Sequence, residues 1–148
     1  MLTLFRTYSD YNASTDEWIG ILKVACQYEF VEVKRFAIRG LEKLDLSVVQ
    51  RLKIYQLYNV HITHIVPLLV QLCLREEGPT DDETEELGIK TSLIIYRARE
   101  RLCSHVPGGI SADEATRAIC SIMNVDPAEF KIPGGSVMYR ELYHLALY

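Results

Sequence analysis

The chain has 148 residues, of which 49% are hydrophobic and 24% are charged, so it can bury the core of one domain. This composition excludes a predominantly disordered chain. A formal charge of −4 argues against a broad nucleic-acid-binding surface, which needs clustered Lys and Arg to displace phosphate counterions.

Four capping boxes organise the sequence. In each, Ser or Thr is followed three positions later by Glu or Gln, and the pairs are Ser14/Glu17, Ser47/Gln50, Thr80/Glu83 and Ser111/Glu114. Each pair satisfies two backbone donors at a helix start. The starts recur at intervals of 33, 33 and 31 residues, the length of a helical hairpin. The sequence therefore predicts an all-α fold of stacked antiparallel helical hairpins, with about six to eight helices.

The first box predicts a helix that ends near Tyr28 and Glu29. A second helix is expected to follow at once and to end at Glu42. Its apolar face is predicted to consist of Phe30, Val33, Ala37, Ile38 and Leu41. Trp18 and Phe30 are expected to be core residues that pack this first hairpin.

The second box predicts a helix that Asn59 terminates in the left-handed conformation, and residues 61–76 are expected to form the next helix. Pro67 lacks a backbone N–H and clashes inside a helix, so a short turn is expected before it. The third box predicts one helix from Asp81 to about Ser104, bent at Gly88.

The breakers Pro107-Gly108-Gly109 and Pro133-Gly134-Gly135 enclose a helix that begins at the fourth box. Beyond them, residues 136–148 are apolar on nearly every side, which predicts a helix that must be covered. The cover is either the body of the same chain, a partner or a second copy. Tyrosine offers rigid area with a polar tip and is favoured at interfaces. The candidate partner contacts in this segment are Tyr139, Tyr143 and Tyr148.

No catalytic constellation stands out. The four cysteines lack a Cys-x-x-Cys pair and are predicted to be small buried residues in a reducing compartment. His61 and His64 can share a helical face, but a zinc site needs a third and a fourth ligand. We therefore predict no metal, no cofactor and no catalytic residue. A small enzyme that uses Cys and His is an alternative, and it predicts a pocket where one of each converges.

One local basic face is formed by Lys34, Arg35 and Arg39 together with Lys43, and it is a candidate docking patch for an acidic partner. A helical nucleic-acid-binding module is a further alternative. It requires this face to merge with a second basic group, formed by Arg97, Arg99 and Arg101.

The longest apolar run, residues 62–74, is shorter than the ~20 residues that span a bilayer. The first residues lack the basic and apolar regions of a signal peptide. We therefore expect an intracellular protein, cytoplasmic or nuclear, with no membrane partner.

A series of short motifs runs in order through residues 14–104. They are Glu17-Trp18-Ile19, Leu22-Lys23, Tyr28-x-Phe30, Val33-Lys34, Ala37-Ile38, Arg51-Leu52, Tyr58-x-Val60, Pro67, Leu72-x-x-Arg75, Glu85-Glu86-Leu87-Gly88 and Arg99-Glu100. In this order they resemble the helical region that follows the BTB/POZ domain in a large group of fungal BTB-domain proteins, although the BTB core itself is absent from this sequence.

The resemblance implies adaptor roles, in some members recruitment to a cullin-type ubiquitin ligase, and homodimerisation through the BTB core. It divides the chain into three parts. Residues 1–13 are a remnant of the last BTB helix, residues 14–133 are the helical domain, and residues 134–148 are an apolar helix or tail. The remnant adds three candidate contacts, which are Leu4, Phe5 and Tyr8. We therefore expect a non-catalytic protein–protein interaction or adaptor module; its partner is open, and so is self-association.

Overall fold

A computed structural model describes residues 12–103 and 111–130, which form seven α-helices and one 3-10 helix. The helices are α1 (Thr15–Gln27), α2 (Val31–Glu42), α3 (Val48–Leu57), α4 (Ile62–Leu74), α5 (Asp81–Leu87), α6 (Ile89–Cys103) and α7 (Ala112–Met123), followed by the 3-10 helix Pro127–Phe130. These described ranges contain no β-strand, so the predicted all-α class is confirmed. The regular stacking of hairpins stays a prediction.

All four predicted capping boxes are formed. At the start of α1, the Ser14 hydroxyl accepts from the Glu17 N–H at 3.3 Å, and Glu17 Oε2 accepts from the Ser14 N–H at 2.8 Å. The same reciprocal pair of bonds begins α3 at Ser47, α5 at Thr80 and α7 at Ser111. Each box fixes a helix start because it satisfies donors that have no partner inside the helix.

Three helices end at a residue other than glycine that has positive φ. These residues are Glu29 at 55°, Asn59 at 47° and Asn124 at 56°. In each case the following N–H donates at 2.9 Å to the carbonyl five residues earlier, in the pairs Phe30 to Ala25, Val60 to Tyr55 and Val125 to Cys120. This is the Schellman arrangement, which satisfies carbonyls at a helix end. The predicted role of Asn59 is confirmed.

Helix α4 lies at the centre of the core. It packs against α3, α6 and α7, and seven of its residues are buried. Val66, Leu69 and Leu72 have no exposed surface, and they belong to one continuous apolar cluster with side chains of the neighbouring helices. Full burial of one such side chain contributes roughly 1.5–3 kcal/mol.

The predicted turn before Pro67 is wrong, because α4 runs through this residue without a break. Pro67 cannot donate to the carbonyl of Thr63, but Thr63 is exposed to water. The chain on both sides of Pro67 is held by burial, with Val66 before it and Leu68 after it. Tertiary packing therefore overrides the local preference of proline for a helix start.

The single helix predicted from Asp81 to Ser104 is also wrong, because Gly88 divides it into α5 and α6. Gly88 has φ 80° and ψ 162°, a conformation that residues with a Cβ avoid. The break lets α5 pack against both α3 and α6.

Trp18 is 4% exposed and lies in the core of the first helical pair, as predicted. Phe30 and Val33 are 55% and 39% exposed, so their predicted burial is wrong. Phe30 precedes the first residue of α2 and stands outside its helical face. Val33 does follow the periodicity of that face. It lines an open depression together with Gly20, which has no side chain that could cover it.

The predicted burial of the cysteines holds for Cys73 and Cys120, and Cys26 is half-buried. It is wrong for Cys103, which is exposed as the last residue of α6.

Candidate functional site

Nine large hydrophobic side chains are exposed among the described residues, and they fall into two groups. The first group, which we call the α1–α2 patch, consists of Val24, Tyr28, Phe30, Val31 and Val33. The second group lies at the end of α3 and along α6 and is called the second patch; it consists of Leu57, Ile89, Leu93 and Tyr96.

Two observations connect members of the α1–α2 patch. The rings of Tyr28 and Phe30 stack with their centroids 6.0 Å apart and an angle of 22° between their planes. Val24 and Val33 line one groove between the two helices. Since the aromatic residues are 60% and 55% exposed, the stack presents apolar area to solvent rather than to the core.

A shallow depression that is open to solvent lies beside the patch. Its lining, which we call the α1–α2 groove, consists of Glu17, Gly20, Ile21 and Val24 from α1 and Val33 from α2. The α1 residues are spaced by three or four positions, so they form one stripe along the helix. Glu17 is the charged member of this lining and stands at the N-terminal end of α1.

Two mid-helix glycines of this helical pair have opposite surroundings. A Cβ at Gly40 would lie 2.5 Å from ring atoms of Trp18, so packing requires this glycine. Among the described residues, a Cβ at Gly20 would meet no atom within 4 Å. Glycine inside a helix costs roughly 0.5–1 kcal/mol relative to alanine. The packing of the described chain gives no reason for that cost at Gly20.

The basic face predicted on α2 is largely engaged within the chain. Lys34 Nζ donates to the carbonyl of Asn59 at 3.0 Å, and Arg35 pairs with Glu32 at 2.9 Å. Arg39 is exposed.

Two members of the second basic group are also engaged within the chain, and Arg97 is exposed. Arg99 bonds to three carbonyls at the end of α4, and Arg101 donates to the Ser121 hydroxyl at 3.2 Å. These internal bonds weaken the basis for the nucleic-acid-binding alternative. The remaining predicted contacts lie outside the described residues; they are Leu4, Phe5, Tyr8, Tyr139, Tyr143 and Tyr148.

His61 precedes the first residue of α4, and His64 lies in its first turn. His61 Nδ1 accepts from the Thr63 N–H at 3.3 Å, and His64 Nδ1 lies 3.4 Å from Glu42 Oε1. Within residues 12–103 and 111–130, no group of three or more His, Cys, Asp or Glu could hold a metal ion.

Two of the four described thiols, those of Cys26 and Cys73, form hydrogen bonds to the backbone. Cys26 and Cys73 donate to the carbonyls of Tyr58 and Ile95. Burial raises the pKa of Cys73 to about 11, although the nearby charge of Arg99 acts in the opposite direction. Burial also raises the pKa of Cys120, as do the charges of two carboxylates in the following turn. Both thiols are protonated at neutral pH and are poor nucleophiles.

No family model, curated protein or solved structure matches the chain. In the part of the chain that the structure describes, every helix is too short or too polar to cross a membrane. Inference about function therefore starts from the α1–α2 patch and the α1–α2 groove.

Sequence reasoning missed the groove residues Gly20, Ile21 and Val24. The residue that could have revealed them is Gly20, a helix-disfavouring residue in the middle of a strongly capped helix. Periodicity instead assigned Phe30 and Val33 to the core, because apolar residues of a core and of a docking surface follow the same spacing.

Proposed function

We propose that this chain is a non-catalytic protein–protein interaction module of the adaptor type, and that the α1–α2 patch is its contact surface. The observation that supports this proposal is the pair of stacked, exposed aromatic rings beside an apolar groove. Contiguous exposed apolar surface commonly marks a site of protein association. Aromatic side chains are enriched at such sites because they offer large rigid area.

The chemistry of the surface favours binding over catalysis. The lining of the groove contains a single titratable side chain, that of Glu17, and its Oε2 already accepts a backbone hydrogen bond. General acid–base catalysis needs a group that can exchange protons with a substrate at the working pH. Apolar lining with one carboxylate suits recognition of another protein surface instead.

The motif order that resembles the fungal post-BTB region leads to the same class of function. The specific form that we propose is an adaptor module of that kind, which was once part of a ubiquitin-ligase substrate adaptor. Self-association through the α1–α2 patch is the competing form, and the oligomeric state in solution distinguishes the two.

The test compares two double variants of the full chain. Tyr28→Ser/Phe30→Ser removes the aromatic stack, and Leu57→Ser/Leu93→Ser changes the second patch as a matched control. All four residues are exposed, so we expect both variants to keep the helical circular dichroism of the parent. Proteins that co-precipitate with the parent and the control, but not with the stack variant, are then purified and titrated.

A purified partner that binds the parent and loses at least about tenfold in affinity with the stack variant supports the proposal, since that loss equals about 1.4 kcal/mol. Equal binding by the parent and the stack variant contradicts it. A parent dimer that becomes a monomer in the stack variant identifies self-association as the function of the patch.

A further inference from the structure

We infer that residues 1–11 of this chain dock on the α1–α2 groove and cover its apolar lining. These residues precede the described range. The inference goes beyond the proposed function, because it assigns the groove to the chain itself. The Tyr28–Phe30 stack is not part of the groove lining and is left to a partner.

The point of attachment selects this segment. Ala13 is 5% exposed and belongs to the apolar cluster of the core, so the chain is held against the body directly before α1. The next residue, Ser14, shares both capping bonds with Glu17, which is the first residue of the groove lining. Residues 1–11 are therefore joined to the fold next to one end of the groove.

The other end of the described chain lies on a different part of the fold. Residues 131–148 follow the 3-10 helix Pro127–Phe130, which packs on α7. Helix α7 packs chiefly on α4 and α6, whereas α1 packs chiefly on α2. Of the two terminal segments, residues 1–11 are the one attached to the helix that supplies most of the lining.

The segment is long enough in any backbone conformation. The lining along α1, from Glu17 to Val24, covers about 11 Å, because each helical residue adds about 1.5 Å. Eleven residues span about 16 Å as a helix and at most roughly 40 Å when extended. Both lengths exceed that of the lining, so the segment can turn back before α1 and lie along it.

The composition of the segment suits this lining. Its charged side chains are Arg6 and Asp10, and more than half of its residues are apolar or aromatic. Glu17 is the charged residue of the lining, and its carboxylate retains acceptor sites for a cation such as Arg6 beyond the one used in the capping bond. The apolar and aromatic residues are Met1, Leu2, Leu4, Phe5, Tyr8 and Tyr11.

The shape of the groove favours an occupant that is covalently attached. Among the described residues, a Cβ at Gly20 would meet no atom within 4 Å, so a segment can rest on the α1 backbone at this point. The groove is shallow and open, and it offers little enclosed surface to a free ligand. A short tether raises the effective concentration of the segment to the order of millimolar, at which even a weak contact is populated.

The test is the rate at which iodoacetamide alkylates a thiol placed in the groove of the full chain. Val24→Cys introduces this groove thiol, and Leu57→Cys introduces a matched thiol in the second patch; both replace exposed side chains. Leu4→Ser/Phe5→Ser, the segment variant, should accelerate alkylation of the groove thiol at least about tenfold and leave the matched thiol unchanged. Tenfold corresponds to a groove that is covered about nine-tenths of the time. Mass spectrometry of peptic fragments resolves each thiol.

Cys73 is the control for global opening, because it is 1% exposed in the core. If the segment variant also accelerates alkylation of Cys73, the whole fold has loosened and Arg6→Glu is the deciding variant. Arg6→Glu keeps the apolar residues and places a like charge opposite Glu17. It should accelerate alkylation of the groove thiol at least about twofold without affecting Cys73. An unchanged rate overturns the inference.

Three other outcomes also overturn it. The first is an equal rate for the groove thiol in the parent and in the segment variant, with Cys73 unaffected. The second is protection that Leu142→Ser/Leu145→Ser removes instead, which assigns the groove to residues 131–148. The third is protection that increases with protein concentration, together with a dimer in light scattering, which assigns the groove to a second copy.

These rates are independent of the partner titration, because every variant retains the aromatic stack. Failure of the stack to bind a partner is therefore distinguishable from failure of residues 1–11 to cover the groove.

Discussion

At the level of single residues, Glu83 joins two helices. Its Oε2 accepts from the Thr80 N–H at 3.0 Å in the capping box of α5, and Arg75 Nη1 lies 2.8 and 3.0 Å from its two oxygens. Burial by itself raises the pKa of Glu83, but the hydrogen bonds from Arg75 and Thr80 and the charge of Arg75 together lower it. The folded state therefore favours the ionised carboxylate.

This predicts a specific acid dependence of stability. A carboxyl whose pKa is lower in the folded state stabilises the fold above its unfolded value, near 4.5, and that contribution is lost as the pH falls through the folded value. Glu83→Gln should lower the free energy of unfolding by roughly 0.2–1 kcal/mol at neutral pH. It should also make the decline of that free energy below about pH 4.5 less steep. Urea unfolding between about pH 6 and pH 3 measures this difference.

Glu85→Gln is the matched control, because Glu85 is exposed on the same helix. If the parent and Glu83→Gln lose stability in parallel on acidification, the Arg75–Glu83 pair does not form in solution.

At the level of elements, α6 caps the end of α4. The guanidinium of Arg99 donates to the carbonyls of Cys73, Arg75 and Glu76 at 2.9, 2.6 and 2.9 Å. The last carbonyls of a helix have no partner within it, and a positive charge there is favoured by the helix dipole. Arg99 therefore satisfies the end of the most buried helix from another element.

Arg99→Met should lower the free energy of unfolding by about 1.5–3 kcal/mol, because it removes hydrogen bonds from a charged donor but keeps an apolar stem. Arg97→Met, on the exposed side of the same helix, should change it by less than about 0.5 kcal/mol. Denaturant unfolding of both variants provides the measurement. Equal effects would mean that water caps α4 as well as Arg99 does.

At the level of the whole molecule, α4 and the α1–α2 pair have different surroundings. Helix α4 packs against three helices, whereas α1 and α2 pack chiefly on each other. The pair is tied to the turn between α3 and α4 by the Cys26 thiol, which donates to the Tyr58 carbonyl at 3.3 Å, and by Lys34 at Asn59. The surface proposed for binding therefore belongs to the less embedded part of the fold.

We expect amide hydrogen exchange to follow this division. The amides of α4 should exchange only when the whole molecule unfolds. Those of α1 and α2 should exchange at least roughly tenfold faster, because local opening also exposes them to solvent. Mass spectrometry of peptic fragments resolves the two regions. Equal protection of both would show that the α1–α2 pair opens only with the rest of the molecule.

The sequence by itself determined the helix boundaries that depend on local chemistry. Capping boxes such as Ser47/Gln50 and the left-handed residue Asn59 act through neighbours within a few positions, so their effect is contained in the sequence. The burial of Trp18 also followed from its place on an amphipathic stripe.

Tertiary structure alone decided the features that depend on distant parts of the chain. Pro67 is retained inside α4 because core packing on both of its sides outweighs its local cost. Phe30 and Val33 are exposed because nothing in the described chain covers their end of α1 and α2. Periodicity shows that a side chain faces one side of a helix, but only the assembled fold shows whether another element lies there.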